Sequence, residues 1–315
     1  MAIQSPCELA YVNSKIRILI AGFPGIGKST LGLSAPNPLH IDVDRGVTRV
    51  EAKFRKPFIQ PQSYDELLED LRAENLKDFD TLVFDTGGKL LDLMKPWAIQ
   101  KDPKNGKRDG NVSLQGYGVI GKEFQRLMDF CFYQLNKNIV VLFHAKEDKD
   151  GENVKLRIMV EGQTKDNVWQ PMELGGFMEV IGNDRTIGFS NCERYFAKGT
   201  HGIKGIKKIP DTAKFPNDFL TRLFEEVNHN IQQEAAEFEQ ERGAYAEVMK
   251  IYGDKIEAVQ SIDELNELSP EMKNIEHKLT SKKEIEALFR AKYKALGARF
   301  DKEAGIYVPD DREPS

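Results

Sequence analysis

Gly22, Gly27, Lys28 and Ser29 stand at the four fixed places of G-x-x-x-x-G-K-[ST] in GFPGIGKST, residues 22–30. Those residue types at that spacing make a phosphate loop. Gly22, Gly25 and Gly27 let the backbone turn sharply and come close to an anion, so that successive N–H groups can face one concavity. The whole run is expected to wrap a phosphate chain: Gly22, Phe23, Pro24, Gly25, Ile26 and Gly27, then Lys28, Ser29 and Thr30. In such a loop Lys28 reaches the β- and γ-phosphates, the Ser29 hydroxyl coordinates Mg²⁺, and Thr30 contributes to the start of the next helix, whose N-terminus faces the same anion. The plain alternative, a glycine-rich surface turn, does not explain the strand-like run that precedes it. A nucleotide with Mg²⁺ is therefore the expected ligand.

The elements that must hold this loop are legible on both sides. Ile16, Ile18, Leu19 and Ile20 form an apolar, β-branched run of strand length, as in a parallel sheet buried on both faces. PLHIDVD, residues 38–44, reads as a second strand ending in acids. TLVFDT places Asp85 directly after Leu82, Val83 and Phe84, so that a buried strand delivers a carboxylate to its C-terminal edge. Ligands of open α/β sheets bind at those edges, which puts Asp85 beside the metal held by Ser29 as a Walker B acid. NIVVLFHAKED reads as a third apolar strand, ending at His144.

Between the strands, Ser63 and Glu66 have capping-box spacing before Leu67, Leu68 and Leu71. Ile120, Phe124, Leu127, Met128, Cys131 and Leu135 fall on one helical face and read as core. A polar loop is expected from about Lys101 to Gly116, and a hairpin or long loop over residues 148–170. ERYFAKG reads as one more strand. From about Asn217 the pattern turns helical, with capping boxes at Ser261/Glu264 and Ser281/Glu284 and a stop at Gly297. This divides the chain into a nucleotide-binding core, residues 1–216, and a helical C-terminal region, residues 217–315, suited to assembly or partner contact.

Composition excludes several classes. With 40% hydrophobic and 30% charged residues the chain is globular, and no apolar run has the length of a membrane span. The segment MAIQSPCELAY lacks a basic start and an apolar stretch, which points to a cytoplasmic protein. Cys7, Cys131 and Cys192 are far apart and odd in number, fitting reduced thiols. The net charge of −5 is not that of a nucleic-acid binder, but its distribution is uneven. KDPKNGKR carries Lys101, Lys104, Lys107 and Arg108, and KGTHGIKGIKK, residues 198–208, has four lysines and no acid. Such runs are commonly solvated surface; they also suit a polyanion.

GFPGIGKST, HIDVD, TLVFDT and VVLFHAK, in this order, resemble the RecA-type P-loop ATPases over residues 14–200. The resemblance is closest to the phage-encoded nucleotide-binding proteins with a RecA-like core that act in single-strand annealing recombination. It implies a mainly parallel α/β sheet with helices on both faces, followed by the helical region. It implies that the carboxylate ending the HIDVD strand, here Asp44, activates the attacking water; many relatives have the longer Glu there. It implies that His144 senses the γ-phosphate and couples it to the following DNA-binding loop. Segments 101–116 and 148–170 then face single-stranded DNA, with Lys101, Lys104, Lys107 and Arg108 on phosphates and Trp169 stacking on a base. Lys198 in FAKG becomes a cation offered to a neighbour's nucleotide. The implied partners are copies of the same chain in a ring or filament, single-stranded DNA, and single-strand-binding or replication proteins, in the host-cell cytoplasm if the protein is phage-encoded.

Two rivals differ in kind. A P-loop kinase needs a lid of clustered arginines, whereas Arg185 and Arg194 stand isolated in the sequence. A nucleotide-gated adaptor resembling a helicase loader would use ATP to control contacts of its tail. A GTPase is disfavoured because NKNI, residues 136–139, lacks the acid of the N-K-x-D base-recognition motif.

Overall fold

The computed structural model describes residues 14–72, 74–150, 153–161 and 164–310. Cys7, MAIQSPCELAY and parts of the 148–170 stretch lie outside the described residues. The chain divides into two compact units, with the division at Asn230.

The first unit is built on β1 (Arg17–Gly22), β2 (Pro38–Asp42), β3 (Phe58–Ile59), β4 (Thr81–Asp85), β5 (Asn138–Asp150), β6 (Asn153–Ile158), β7 (Leu174–Ile181), β8 (Asp184–Gly188) and β9 (Ile206–Lys208). Among the described residues these strands form one sheet in the order β3-β2-β4-β5-β1-β7-β8-β9, with β6 attached to β5. Pairings from β3 through β7 are parallel, and those of β6, β8 and β9 are antiparallel.

Alternation along the strands explains why both faces are apolar. Leu19, Ala21, Leu39, Ile41, Leu82, Phe84, Val141 and Phe143 share a core with residues of α2 (Tyr64–Asp70), α3 (Gly87–Lys101), α4 (Leu114–Asp129) and α5 (Thr164–Trp169). On the other face, α1 (Lys28–Gly32) sits so close to the sheet that a Cβ on Gly32 would lie 3.0 Å from Val83 and 3.2 Å from Leu142. Helices thus cover both faces of a mostly parallel sheet, and a helical region follows.

Local signals hold where short-range chemistry decides. The Ser63 hydroxyl accepts from the Glu66 N–H and caps α2. Ile120, Phe124, Leu127, Met128 and Cys131 are buried along α4 and the π-helical turn Phe130–Gln134 that continues it.

Four expectations in the first unit are corrected. The second strand stops at Asp42 because the Asp42 carboxylate accepts from the N–H groups of Gly46 and Val47, at 2.7 and 2.9 Å, and folds residues 43–47 into a turn. The third does not end at His144. Its parallel part does, and β5 then runs on from Ala145 as a hairpin with β6 that reaches into the 148–170 stretch. ERYFAKG is not a strand; isolated bridges at Tyr195 and Lys198 tie it to Leu156 and Gly175. The polar loop 101–116 is shorter, because Lys101 still belongs to α3 and α4 begins at Leu114.

The 40-residue α6 (Phe219–Ala258) starts on the first unit. The Leu220 N–H donates to Ser34 Oγ at 3.0 Å and the Thr221 hydroxyl to the Ser34 carbonyl at 2.9 Å. These bonds fasten the start of α6 to the first unit.

In the second unit, α7 (Ile262–Met272) and α8 (Ser281–Ala295) pack Leu265, Leu268, Ile285 and Phe289 against Ile256 of α6 and Val259 just after it. Ser261 caps α7, accepting from the Glu264 N–H. Ser281 is instead the first helical residue and is buried; Thr280 holds the cap position. Gly297, at φ 63°, ends α8 as expected, and a hairpin of β10 (Ala298–Asp301) and β11 (Ile306–Pro309) follows. No helix among the described residues is long and apolar enough to cross a membrane.

Candidate nucleotide-binding site

Parallel register brings the chemistry to one edge. Gly22 on β1 pairs with His144 on β5, and Asp85 on β4 pairs with Leu142. One strand therefore separates the phosphate loop from Asp85. Loop, imidazole and carboxylate emerge at the same carboxyl end of the sheet.

The loop residues follow β1, with Gly25 and Gly27 at φ 79° and 98°, backbone that L side chains rarely adopt. The helix after it, α1, has only five residues. Its dipole is correspondingly small, so the expected anion site depends on the loop amides and Lys28 more than on a helix end. Lys28 is only 5% exposed. Its ammonium donates to the carbonyls of Gly22 at 3.0 Å and Phe23 at 2.9 Å, and Nζ lies 3.2 Å from His144 Nδ1. Burial lowers the Lys28 pKa to about 8, against the opposing pull of the Asp85 and Asp44 carboxylates.

Burial and the nearby ammonium push His144 below its usual value. The ring is neutral at pH 7, so Nδ1 is the nitrogen that accepts from Lys28 and Nε2 carries the proton.

Asp85 is buried at the end of β4. Burial raises its pKa, but hydrogen bonds from His40 and Ser29 outweigh that and hold the carboxyl below its usual range. The Ser29 hydroxyl and the Asp85 carboxylate are thus direct neighbours, a pair of hard oxygen donors of the kind Mg²⁺ takes together with phosphate oxygens. The residues fit the ion, which when bound screens phosphate charge.

His40 was not singled out from sequence. It is fully buried on β2, with Nε2 3.3 Å from Asp85 Oδ2 and Nδ1 without a partner. Its signal was a histidine inside an otherwise apolar strand, and only the β2–β4 pairing shows what it faces.

Asp44 lies in the turn after β2, its N–H bonded to the Asp85 carbonyl at 3.0 Å. With His144 and Thr86 it lines a cavity of about 380 Å³ along α3. Its carboxylate is paired with Arg49 at 2.5 Å, a partner sequence reasoning missed. Arg185, isolated in sequence, also comes here: a Cβ on Gly27 would lie 2.7 Å from its Nη1.

Other expected site residues are not brought to this edge. Lys101 closes α3 at the end remote from Thr86, with its ammonium 5.6 Å from the centre of the Trp97 ring. Fifteen helical residues span about 22 Å. Lys104, Lys107 and Arg108 are exposed on a connection anchored by buried Asn105, which donates to the Ala98 carbonyl at 2.8 Å. Trp169 ends α5 and packs edge-on against Phe196, with ring centres 4.8 Å apart, on a cavity of about 720 Å³ that also has Lys165 and Arg157 in its wall. Lys198 turns inward and donates to the Met172 carbonyl of its own chain, which leaves its ammonium engaged rather than offered outward. Lys207 and Lys208 are paired with Glu226 and Asp184, so two of the four lysines in the acid-free stretch 198–208 are neutralised by tertiary partners.

A mostly parallel sheet with a phosphate loop on one strand, a carboxylate two strands away and a histidine between them defines a P-loop ATPase domain. Residues 14–201 match the family described as AAA domain, and the chain belongs to that family. A search of curated proteins found no match. Among solved structures the chain is similar to the KaiC-like protein PH0186 from Pyrococcus horikoshii OT3, at 11% identity over 62% of this chain and 89% of that one, with a TM-score of 0.34. It is also similar to an ATPase from the type III secretion system of pathogenic bacteria, at 13% identity over 53% and 52%, with a TM-score of 0.35.

Proposed function

We propose that this ATPase couples ATP hydrolysis to single-stranded DNA in recombination, annealing or replication, working as a ring or filament of identical chains, as the phage-encoded ATPases it resembles would. One observation carries the reading. His144 touches Lys28, and its strand runs on without a break into the β5–β6 hairpin, so a residue beside the phosphate loop shares a rigid element with a projecting, charged segment. A change of contact at the phosphates is thereby transmitted to Lys146, Lys149, Lys155 and Arg157.

Within the site, Lys28 leaves its carbonyl and imidazole partners to neutralise phosphate charge, and Ser29 with Asp85 holds the metal. Asp44, anchored on the Asp85 backbone, orients the attacking water. The exposed cations of the 104–108 connection supply sequence-independent phosphate contacts.

The decisive experiment measures ATPase rate with and without single-stranded DNA while following particle mass. DNA-stimulated turnover by an assembly supports the reading. Turnover that responds to a protein partner and never to DNA, without strand binding, assigns the chain to the nucleotide-gated adaptors instead. Lys28→Ala should abolish nucleotide binding or turnover, and parental hydrolysis by that variant would remove the loop from the mechanism.

A further inference from the structure

The β7–β8 hairpin carries a cation to the phosphate loop from a part of the chain that the motif does not include. Gly22 pairs with Met178 on β7, so the next residues of β7 extend past the end of the loop strand, and on the return strand Arg185 pairs with Val180. Register therefore sets Arg185 at the carboxyl edge of the sheet, beside the loop. Its guanidinium approaches so closely that a Cβ on Gly27 would meet Nη1 at 2.7 Å.

The Arg185 side chain is exposed and, among the described residues, has no ion pair or hydrogen bond. The two acids of the hairpin are already engaged, Glu179 with Arg194 at 3.0 Å and Asp184 with Lys208 at 2.6 Å. Loop amides, the neighbouring Lys28 and an unpaired guanidinium thus gather positive charge around one turn of backbone. A polyphosphate balances that charge, and a guanidinium is well matched to phosphate oxygens.

We propose that Arg185 is a nucleotide-binding residue that donates, in the same chain, to the phosphate chain held by residues 22–30; the proposal rests on the phosphate-loop reading of those residues. Arg185 then contributes in proportion to phosphate charge and not to the base.

Calorimetric titration with ATP, ADP and AMP tests this on the full chain, using Arg185→Gln, Arg185→Lys and Lys28→Ala beside the parent. Arg185→Gln should weaken ATP by about tenfold, as expected for a lost charge-assisted hydrogen bond, ADP by less, and AMP hardly at all. Arg185→Lys should recover part of the loss. Because the side chain is exposed, melting temperatures should match the parent. Equal losses for the three nucleotides, or no loss with Lys28→Ala defective, overturn the role of Arg185 alone. Failure of the parent to bind, or normal binding by Lys28→Ala, overturns the phosphate-loop reading itself.

Discussion

The Nδ1 atom of His144 lies 3.2 Å from the Nζ atom of Lys28, linking the strand that becomes the β5–β6 hairpin to the loop that faces phosphate. On the proposed function, Lys28 turns to a γ-phosphate, and the imidazole, having lost its donor, engages the nucleotide through its Nε2 proton. His144→Ala should keep ATP binding and basal hydrolysis within a few-fold of the parent and lose the stimulation by single-stranded DNA. Full stimulation in the variant would leave the histidine as a packing residue.

The buried ammonium predicts a pH dependence. Burial gives Lys28 a pKa of about 8. Bound polyphosphate favours the charged amine and raises that value. Below about pH 8 the amine is already charged and affinity is flat; above it, binding must take up a proton, and affinity should fall by up to about tenfold per pH unit. Titration of ATP without divalent metal, across pH 7 to 10, reads this directly. A flat affinity above pH 8 would show the amine to be charged throughout.

Asp44 shares its carboxylate with Arg49. Asp44→Asn should leave ATP binding intact and slow turnover by about 10² to 10⁴, the usual cost of a removed general base. Arg49→Ala keeps the carboxylate and frees it, so turnover should stay at least parental. Single-turnover rates of both variants decide the matter: an equal collapse means that the ion pair, not the base, is what the reaction needs.

The basic connection predicts a salt effect. Replacing Lys101, Lys104, Lys107 and Arg108 by Gln should weaken binding to all single-stranded sequences alike. Each lost phosphate contact should reduce the slope of log affinity against log salt by about 0.7. DNA-free hydrolysis should persist. Since Lys101 packs over Trp97, its share should be the smallest of the four. An unchanged slope removes this connection from the binding surface.

The thiols should separate cleanly. Cys192 is exposed, whereas Cys131 is buried and burial raises its thiol pKa. Alkylation of the native protein followed by peptide mapping should label Cys192 and spare Cys131 until denaturant is added. Equal labelling would mean that the α4 core opens readily.

Much of the site was readable along the chain because its determinants are local. A phosphate loop needs glycines, lysine and serine at fixed spacing, and Asp85 follows its apolar run directly, so both could be assigned by position. The caps of α2 and α7 and the glycine stop of α8 are local in the same way, each satisfied within a few residues. What sequence could not supply are relations set by strand order and register. His40 meets Asp85 only because β2 pairs with β4, Asp44 sits in a turn only because Asp42 accepts two backbone N–H groups, and Arg185 reaches Gly27 only because β7 flanks β1. Lys198, Lys207 and Lys208 show the converse: free cations by sequence, each turned toward a partner by the fold. A motif states which groups are present, but long-range pairing decides which of them are already satisfied and which still face a ligand.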